Sequence, residues 1–268
     1  MPRKLPKARS ADRYDLYQRA VQSPDVDCRL FRRFYREHRG KEPLVLREDF
    51  CGAAAVCCEW TRTRNAQAAW GVDIDPEPLA WGREHNLSEL KPAQRKKVHL
   101  VEGDVRTAKT PRADIIAAQN YSYCVFKTRD ELRGYFKAAR RHLATDGVFL
   151  LDLFGGYEVV QVDRDERTNH GSFTYVWDQA EYDPINNHGR YYIHFRFRDG
   201  SQMRYAFRYD WRLWSIPEVR ELLAEAGFKS SHVYWEDANE KGEGNGVYRR
   251  REKVEQEASW NVYIIGVK

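Results

Sequence analysis

The sequence lacks any apolar run approaching the roughly 20 residues that cross a bilayer, so no membrane span is expected and the chain should stay in solution. No apolar segment comes after the basic start, residues 1–10, which reads as a frayed tail rather than a secretory signal; a cytoplasmic location is the expectation. Cysteine is scarce and unpatterned. The five residues Cys28, Cys51, Cys57, Cys58 and Cys124 are odd in number and contain no CxxC spacing, which argues against a disulfide framework and against a zinc site, so no metal is expected. A strong charge of either sign is also missing: 45 basic against 40 acidic residues leave +5, which permits an anionic partner without demanding nucleic acid. Internal repeats and low-complexity tracts are absent. What is present is a globular composition, 42% hydrophobic and 32% charged, over 268 residues, enough for one large α/β domain with an inserted subdomain.

Changes of period divide the chain into four stretches. In residues 1–42, Tyr14, Leu16, Tyr17 and Val21, then Leu30, Phe31, Phe34 and Tyr35, recur at helical spacing around Pro24, predicting a helical cap over one edge of the core. Residues 43–155 alternate short apolar runs (44–47, 69–73, 98–102, 115–118, 148–153) with helical patterns (53–63, 76–85, 129–144), the form of βαβ units in a mostly parallel sheet. Residues 156–214 form an insertion with period two: Ile193, Phe195 and Phe197, the turn Asp199-Gly200, then Met203, Tyr205, Phe207, Tyr209 and Trp211. This predicts an antiparallel hairpin with one aromatic face and one basic face of His194, Arg196, Arg198, Arg204, Arg208 and Arg212. Residues 215–268 return to the core, with a helix over 216–226 capped by Ser215 and ended by Gly227, and strands over 228–235 and 260–267 flanking a polar stretch, 236–259, expected to be a mobile loop. The predicted whole is a sheet of about seven strands, mostly parallel, with helices on both faces and an antiparallel β insertion.

Chemistry concentrates in the first two βα turns. Glu48-Asp49-Phe50-Cys51-Gly52-Ala53-Ala54 comes directly after the first strand, and Asp73 closes the second, 21 residues after Gly52. A tight turn of small residues lets backbone N–H groups approach a ligand, and a carboxylate at the next strand end can accept both ribose hydroxyls, so a nucleoside cofactor fits. An NAD-type enzyme would place the acid alike but would want a glycine-rich turn for its pyrophosphate.

These residues resemble the motifs of class I, Rossmann-like S-adenosylmethionine-dependent methyltransferases. Glu48, Phe50, Gly52 and Ala54 stand at the acid and the three glycines of the first motif, with Phe50 and Ala54 departing from it. Gly71-Val72-Asp73-Ile74-Asp75-Pro76 is similar to the second motif, Glu102-Gly103-Asp104-Val105 to the third, and Ala113-Asp114-Ile115-Ile116 with Gln119-Asn120 to the fourth. The resemblance spans residues 44–153. It implies S-adenosyl-L-methionine as cofactor and S-adenosyl-L-homocysteine as product, with Asp73 and Ile74 at the ribose, Asp104 and Val105 at the adenine, Glu48 ordering the amino-acid end through Arg47 or a water, and Gln119 and Asn120 nearby. Tyr14 and Tyr17 are candidates to close over the cofactor, and Tyr121 and Tyr123 for a general base; His170, His188 and His232 have no spacing that favours any of them.

Plainer readings compete. Asp75 before Pro76 reads as a helix cap, Cys57 and Cys58 as small buried thiols, and Arg249-Arg250-Arg251 as surface. The aromatic hairpin face reads as core or a subunit contact, with the lining of an acceptor pocket as the sharper option, and the basic face as solvated. No Pro-Cys pair stands after the fourth strand, and Asn120-Tyr121-Ser122-Tyr123 lacks two prolines of the Asn-Pro-Pro-Tyr pattern of nucleobase amino-methylation. The leading expectation is therefore N- or O-methylation of a small molecule by a monomer or homodimer. An RNA or protein methyltransferase comes second, and a cofactor-binding regulatory protein without turnover third.

Overall fold

A computed structural model describes residues 5–63, 65–239 and 244–268. The first four residues of the expected tail, and residues 240–243 of the expected loop, lie outside the described residues. The chain opens with α1 (Lys7–Ser10) and α2 (Arg13–Val21), the second capped by Asp12, whose carboxylate accepts the N–H groups of Tyr14 and Asp15. Next come α3 (Pro24–Arg39), with proline in its first turn, β1 (Val45–Asp49), α4 (Ala55–Arg62), β2 (Ala68–Asp73) and α5 (Pro76–Gly82), which Asp75 caps as expected. A π-helical turn, α6 (Pro92–Arg95), β3 (Val98–Glu102), β4 (Ala113–Ala118), α7 (Arg129–His142) and β5 (Leu143–Gly155) complete the first half. The insertion holds β6 (Arg164–Asn169), β7 (Phe173–Asp183), β8 (His188–Phe197) and β9 (Gln202–Arg212), and the chain ends with α8 (Ile216–Glu225), β10 (Ser230–Ala238), β11 (Gly244–Arg250) and β12 (Trp260–Val267).

These elements form two units, Ser23–Gly156 with Trp214–Lys268, and Met1–Gln22 with Tyr157–Leu213. The segment read as one helical cap is thus divided: α3 belongs to the first unit, α1 and α2 to the second. In the first unit the strands order as β11-β10-β12-β5-β4-β1-β2-β3. β1 to β5 run parallel, β12 runs antiparallel to β5, and β10 antiparallel to β12. The sheet has eight strands rather than seven because part of the polar stretch expected to be a loop, Gly244–Arg250, pairs as an edge strand with β10, Glu236 opposite Tyr248. Arginine-rich strands are common at edges, where charge discourages further pairing, and that camouflaged this one.

In the second unit the insertion is a four-stranded antiparallel meander, β6-β7-β8-β9, rather than a lone hairpin. Its aromatic face is core: Phe173, Ile193, Phe195 and Ala206 bury against Leu16 of α2, and Tyr17 packs 4.9 Å from the Phe207 ring. Period two fails in β9, where Ile193 pairs with Phe207 but Phe195 with Met203, so the strand carries two extra residues. The bulge turns Tyr205 out to 57% exposure with φ 54°, and its N–H is donated to Nδ1 of His194 (2.7 Å). His194 is therefore buried, its Nε2 donating to Asp178 (3.0 Å), and is not part of a solvated basic face. The tail is corrected too, since α1 is ordered by Lys7 and Ala8 N–H groups on the side chains of Asp199 and Ser201.

Candidate functional site

Alternation along β1 divides the predicted residues between two faces of the sheet. Leu46 and Glu48 face the α3/α4 side, where Leu46 joins a core with Phe31 and Trp60. Arg47 and Asp49 face α7: the Arg47 Nε donates to Asp49 (2.6 Å), its other nitrogens to Thr110 Oγ1 (3.0 Å) and the Val105 carbonyl (2.7 Å), and Tyr135 donates to the second Asp49 oxygen (2.9 Å). Arg47 is fully buried there and its guanidinium fastens β1 to the β3 turn, so the expectation that it helps Glu48 order a ligand is corrected.

Glu48 is 3% exposed and accepts the Cys57 N–H (3.1 Å) in the first turn of α4. The N-cap position of that helix is Ala54, which has no side-chain acceptor, and Glu48 supplies one from the strand below. Burial lifts its carboxyl to about 8, opposed by the hydrogen bond from Cys57. The buried thiols around it have no titrating role near neutrality; burial pushes Cys58 up to about 12.

The turn after β1 has φ 59° at Phe50, 52° at Gly52 and 58° at Ala54. All three positions where the resemblance wants glycine are left-handed, two of them in residues that reach that region only at a cost of about 1 kcal/mol or more each. Packing holds them: Ala54 is fully buried, and the Phe50 ring lies 5.6 Å from Tyr135 and 6.1 Å from Phe126. The Cys51 N–H bonds the Val72 carbonyl (3.1 Å), and Gly52 donates to Oδ2 of Asp73 (2.7 Å), whose Oδ1 accepts from Asp75 (2.9 Å). Burial raises the Asp73 carboxyl above its usual range. Two glycines that the motif reading left without a role let this turn approach: a Cβ on Gly82 would stand 2.3 Å from the Ala53 carbonyl oxygen, and one on Gly71 2.7 Å from the Cys51 sulfur. Beside Asp73, Ile74 is 70% exposed. Asp104 is partly exposed and chelated by Arg106 (2.6 Å), which holds its carboxyl below the usual range, while Val105 is buried.

At the ends of β4 and β5 the inner row of the sheet changes from apolar to polar. Ile115, Ala117, Leu150 and Ile265 belong to the α3/α4 core, and the same face continues as Gln119, Asp152 and Tyr263. Asn120 and Tyr121 are both left-handed (φ 55° and 57°), so their N–H groups converge on the Asp152 carboxylate at 2.6 and 2.9 Å. Burial raises Asp152 to about 7, those two N–H groups opposing it. The Tyr263 hydroxyl reaches Gln119 Oε1 and Asp27 Oδ1 of α3, each at 3.3 Å, and the Gln119 Nε2 is buried without a partner. Sequence reasoning did not single out Asp27, Asp152 or Tyr263; the register that joins them had no local signal.

The tyrosines separate. Tyr121 is partly exposed, its hydroxyl donating to Asn261 (2.7 Å). Tyr123 is fully buried with its hydroxyl on the Asp152 carbonyl (2.8 Å), so its candidacy as a base is corrected. Tyr14 and Tyr17 lie in the second unit, at 5.9 and 4.9 Å from Phe207. A surface groove between α8 and β10, lined by Pro217, Arg220, Lys229 and Ser230, is far from these groups: Ser230 pairs with Val267, and Val267 with Val148 near the start of β5, whereas ligands of open α/β sheets bind beyond the carboxyl ends of the strands. Among the described residues no cluster of His, Cys, Asp and Glu could hold a metal ion, and no helix is long and apolar enough to cross a membrane.

No family model and no curated protein matches the sequence. Solved structures do. The S-adenosylmethionine-bound amino pentose methyltransferase CalS10 of Micromonospora echinaspora superposes with a TM-score of 0.66 at 15% identity, over 100% of this chain and 99% of that one. DesVI of Streptomyces venezuelae gives 0.68 at 15% over 99% of both, and an S-adenosylmethionine-dependent methyltransferase of Clostridium acetobutylicum 0.65 at 18% over 94% and 96%. The chain therefore has the Rossmann-like α/β fold of these methyltransferases, with its five central strands parallel.

Proposed function

We propose that this chain is an S-adenosylmethionine-dependent methyltransferase acting on nitrogen or oxygen of a small molecule. The observation that carries the reading is the β1 turn, which takes the left-handed path at Phe50, Gly52 and Ala54 and hands the Gly52 N–H to Asp73. Such a turn exposes backbone to a ligand as a glycine-rich one does, and the carboxylate it touches stands where a ribose diol is bound in nucleoside sites. CalS10 is bound to S-adenosylmethionine, and the glycopeptide N-methyltransferase MtfA, a weaker fold match at TM-scores of 0.54 and 0.56, is complexed with S-adenosylmethionine and S-adenosylhomocysteine. The residues present fit the cofactor. Asp73 would accept from the ribose, exposed Ile74 would cover the nucleoside, and Asp104 would accept from the adenine amino group, with Val105 packed behind it. The bound cofactor supplies a methyl group already activated on sulfonium. The protein's task is to hold the acceptor in line with that methyl near ~3 Å and to exclude water, which is worth several kcal/mol without a dedicated base.

The arginines of the insertion weaken a nucleic-acid reading, because Arg196 pairs with Asp165 and Arg208 with Asp210, which neutralises part of the charge a phosphate backbone would meet. Five buried, unbridged cysteines fit a reducing compartment such as the cytoplasm. Calorimetry with S-adenosylhomocysteine tests the reading: the wild-type chain should bind, and Asp73→Ala should bind at least ~10-fold more weakly. A wild-type chain that does not bind leaves the fold without the function.

A further inference from the structure

The end of the sheet where β4 and β5 finish and β12 begins, roofed by the first turns of α3, holds more acid than its own hydrogen bonds satisfy. Asp27 is partly buried and receives one long bond, from the Tyr263 hydroxyl at 3.3 Å. Asp152 is occupied on its backbone side by Asn120 and Tyr121, and remains partly exposed. Glu48 lies one row below, and Tyr248 packs on Tyr263 at 4.8 Å. Among the described residues neither Asp27 nor Asp152 has a basic side chain at ion-pair distance. Carboxylates brought together without a cation are costly, so the site is complementary to a positive ligand group. The second observation is independent of charge. Gln119, more than nine-tenths buried, shares the Tyr263 proton with Asp27 through its Oε1, and the Nε2 donor of the same amide is buried without a partner. A buried donor without a partner costs about 1–3 kcal/mol, so it too marks a missing ligand atom, in this case one with a lone pair.

Resting on the methyltransferase reading, we infer that the methyl acceptor is an amine with a hydroxyl or ether oxygen beside it, its ammonium held by Asp27 and Asp152 and its oxygen by the Gln119 amide. The neutral oxygen is preferred to a carboxylate because three acids crowd the donor. Asp27 then acts as the base. The ammonium gives its proton to the Asp27 carboxylate, the freed nitrogen lone pair forms the new C–N bond as the C–S bond of the sulfonium breaks, and the products are a neutral Asp27, the N-methylammonium and the uncharged thioether. Charge balances at each side of this step. Burial holds the Asp27 carboxyl near 6, which suits proton transfer close to neutrality; Asp25 of the same helix raises it and the Tyr263 hydroxyl lowers it, while Asp152, Tyr248 and Glu48 are the other titratable groups of the cluster.

The cofactor's own amino-acid end also carries an ammonium, and the experiment separates the two sources. Wild type, Asp27→Asn and, as a second variant that keeps the helix untouched, Tyr263→Phe would be titrated with S-adenosylhomocysteine and with methylthioadenosine, which lacks the amino-acid end. They would then be assayed with methyl-labelled cofactor against 1,2-amino alcohols, amino sugars and the matched diols and sugars. The inference expects both nucleosides to bind all three proteins within about twofold, label to enter amines and not the matched alcohols, and Asp27→Asn to lower kcat/KM for the best amine at least ~100-fold with loss of the acid limb near pH 6. Selective weakening of S-adenosylhomocysteine, with methylthioadenosine unchanged, overturns it by assigning the cluster to the cofactor. Transfer to alcohols in preference to amines, or to none of the panel, overturns it while leaving the cofactor site standing. Failure of the wild type to bind either nucleoside overturns the methyltransferase reading itself.

Discussion

Replacing Glu48 by glutamine isolates the electrostatic cost of the strand-borne cap. The folded carboxyl stands at about 8 against an ordinary 4.5 in the unfolded chain, because burial penalises its charged form. The sign comes from linkage. Below the unfolded value both states are protonated and nothing is lost; above it the unfolded chain releases the proton first, so stability falls as pH rises through the window 4.5 to 8. At 1.36 kcal/mol per unit, the loss is about 1 kcal/mol at pH 5 and about 3 kcal/mol at pH 7, levelling above pH 8. The introduced amide still accepts the Cys57 N–H and does not titrate. Urea unfolding of ligand-free wild type and Glu48→Gln between pH 5 and 9 should therefore show the variant gaining on the wild type by about 2 kcal/mol between pH 5 and 7, whatever constant offset the amide introduces. A difference that is flat with pH, or that shrinks as pH rises, refutes the reasoning.

Other perturbations address separate contacts. Arg47→Leu strands the buried Asp49 with only Tyr135 and should cost about 3–5 kcal/mol, part of which a second change, Asp49→Leu, should restore; equal stability of the single and double variants in urea would contradict this. Gly82→Ala drives a methyl to 2.3 Å from the Ala53 carbonyl oxygen and should both lower Tm by several degrees and weaken S-adenosylhomocysteine binding, whereas Gly52→Ala, with nothing within 4 Å of the new methyl, should lose only about 1 kcal/mol from its φ of 52°; reversal of that order would count against the close approach. His194→Phe leaves the Tyr205 N–H and Asp178 without partners and should destabilise the insertion by about 1–3 kcal/mol, seen as faster proteolysis within residues 157–213, and cleavage at an unchanged rate would deny His194 its structural task.

Elements with a strong local period were legible in the sequence. The parallel strands β1 to β4, the body of α7 and α8 with its Ser215 cap lie where alternation and turn residues put them, β5 starts earlier than expected, at Leu143, and Asp73 lies at the strand end the spacing implies. The features that escaped depended on partners distant in the chain. β11 has only Val247 and Tyr248 as apolar residues, too few to show a period, and pairs with the edge that β10 offers. The β9 bulge is fixed by His194, eleven residues away, so counting by two could not place Tyr205. Arg47 and Glu48 are neighbours in sequence and strangers in space, and the Asp27, Gln119, Asp152 and Tyr263 cluster gathers one side chain each from α3, the loop after β4, β5 and β12.

The β1 turn shows that a glycine signature specifies a backbone path rather than a letter. A triple-glycine loop has a broad unfolded ensemble and much freedom to give up when a ligand arrives; Phe50 and Ala54 restrict that ensemble, and packing against Phe126 and Tyr135 fixes the path in advance. The strain is met during folding, so cofactor association at this turn should carry little ordering entropy: the loop is a rigid preorganised cradle, and its affinity would be set by contacts rather than by closure.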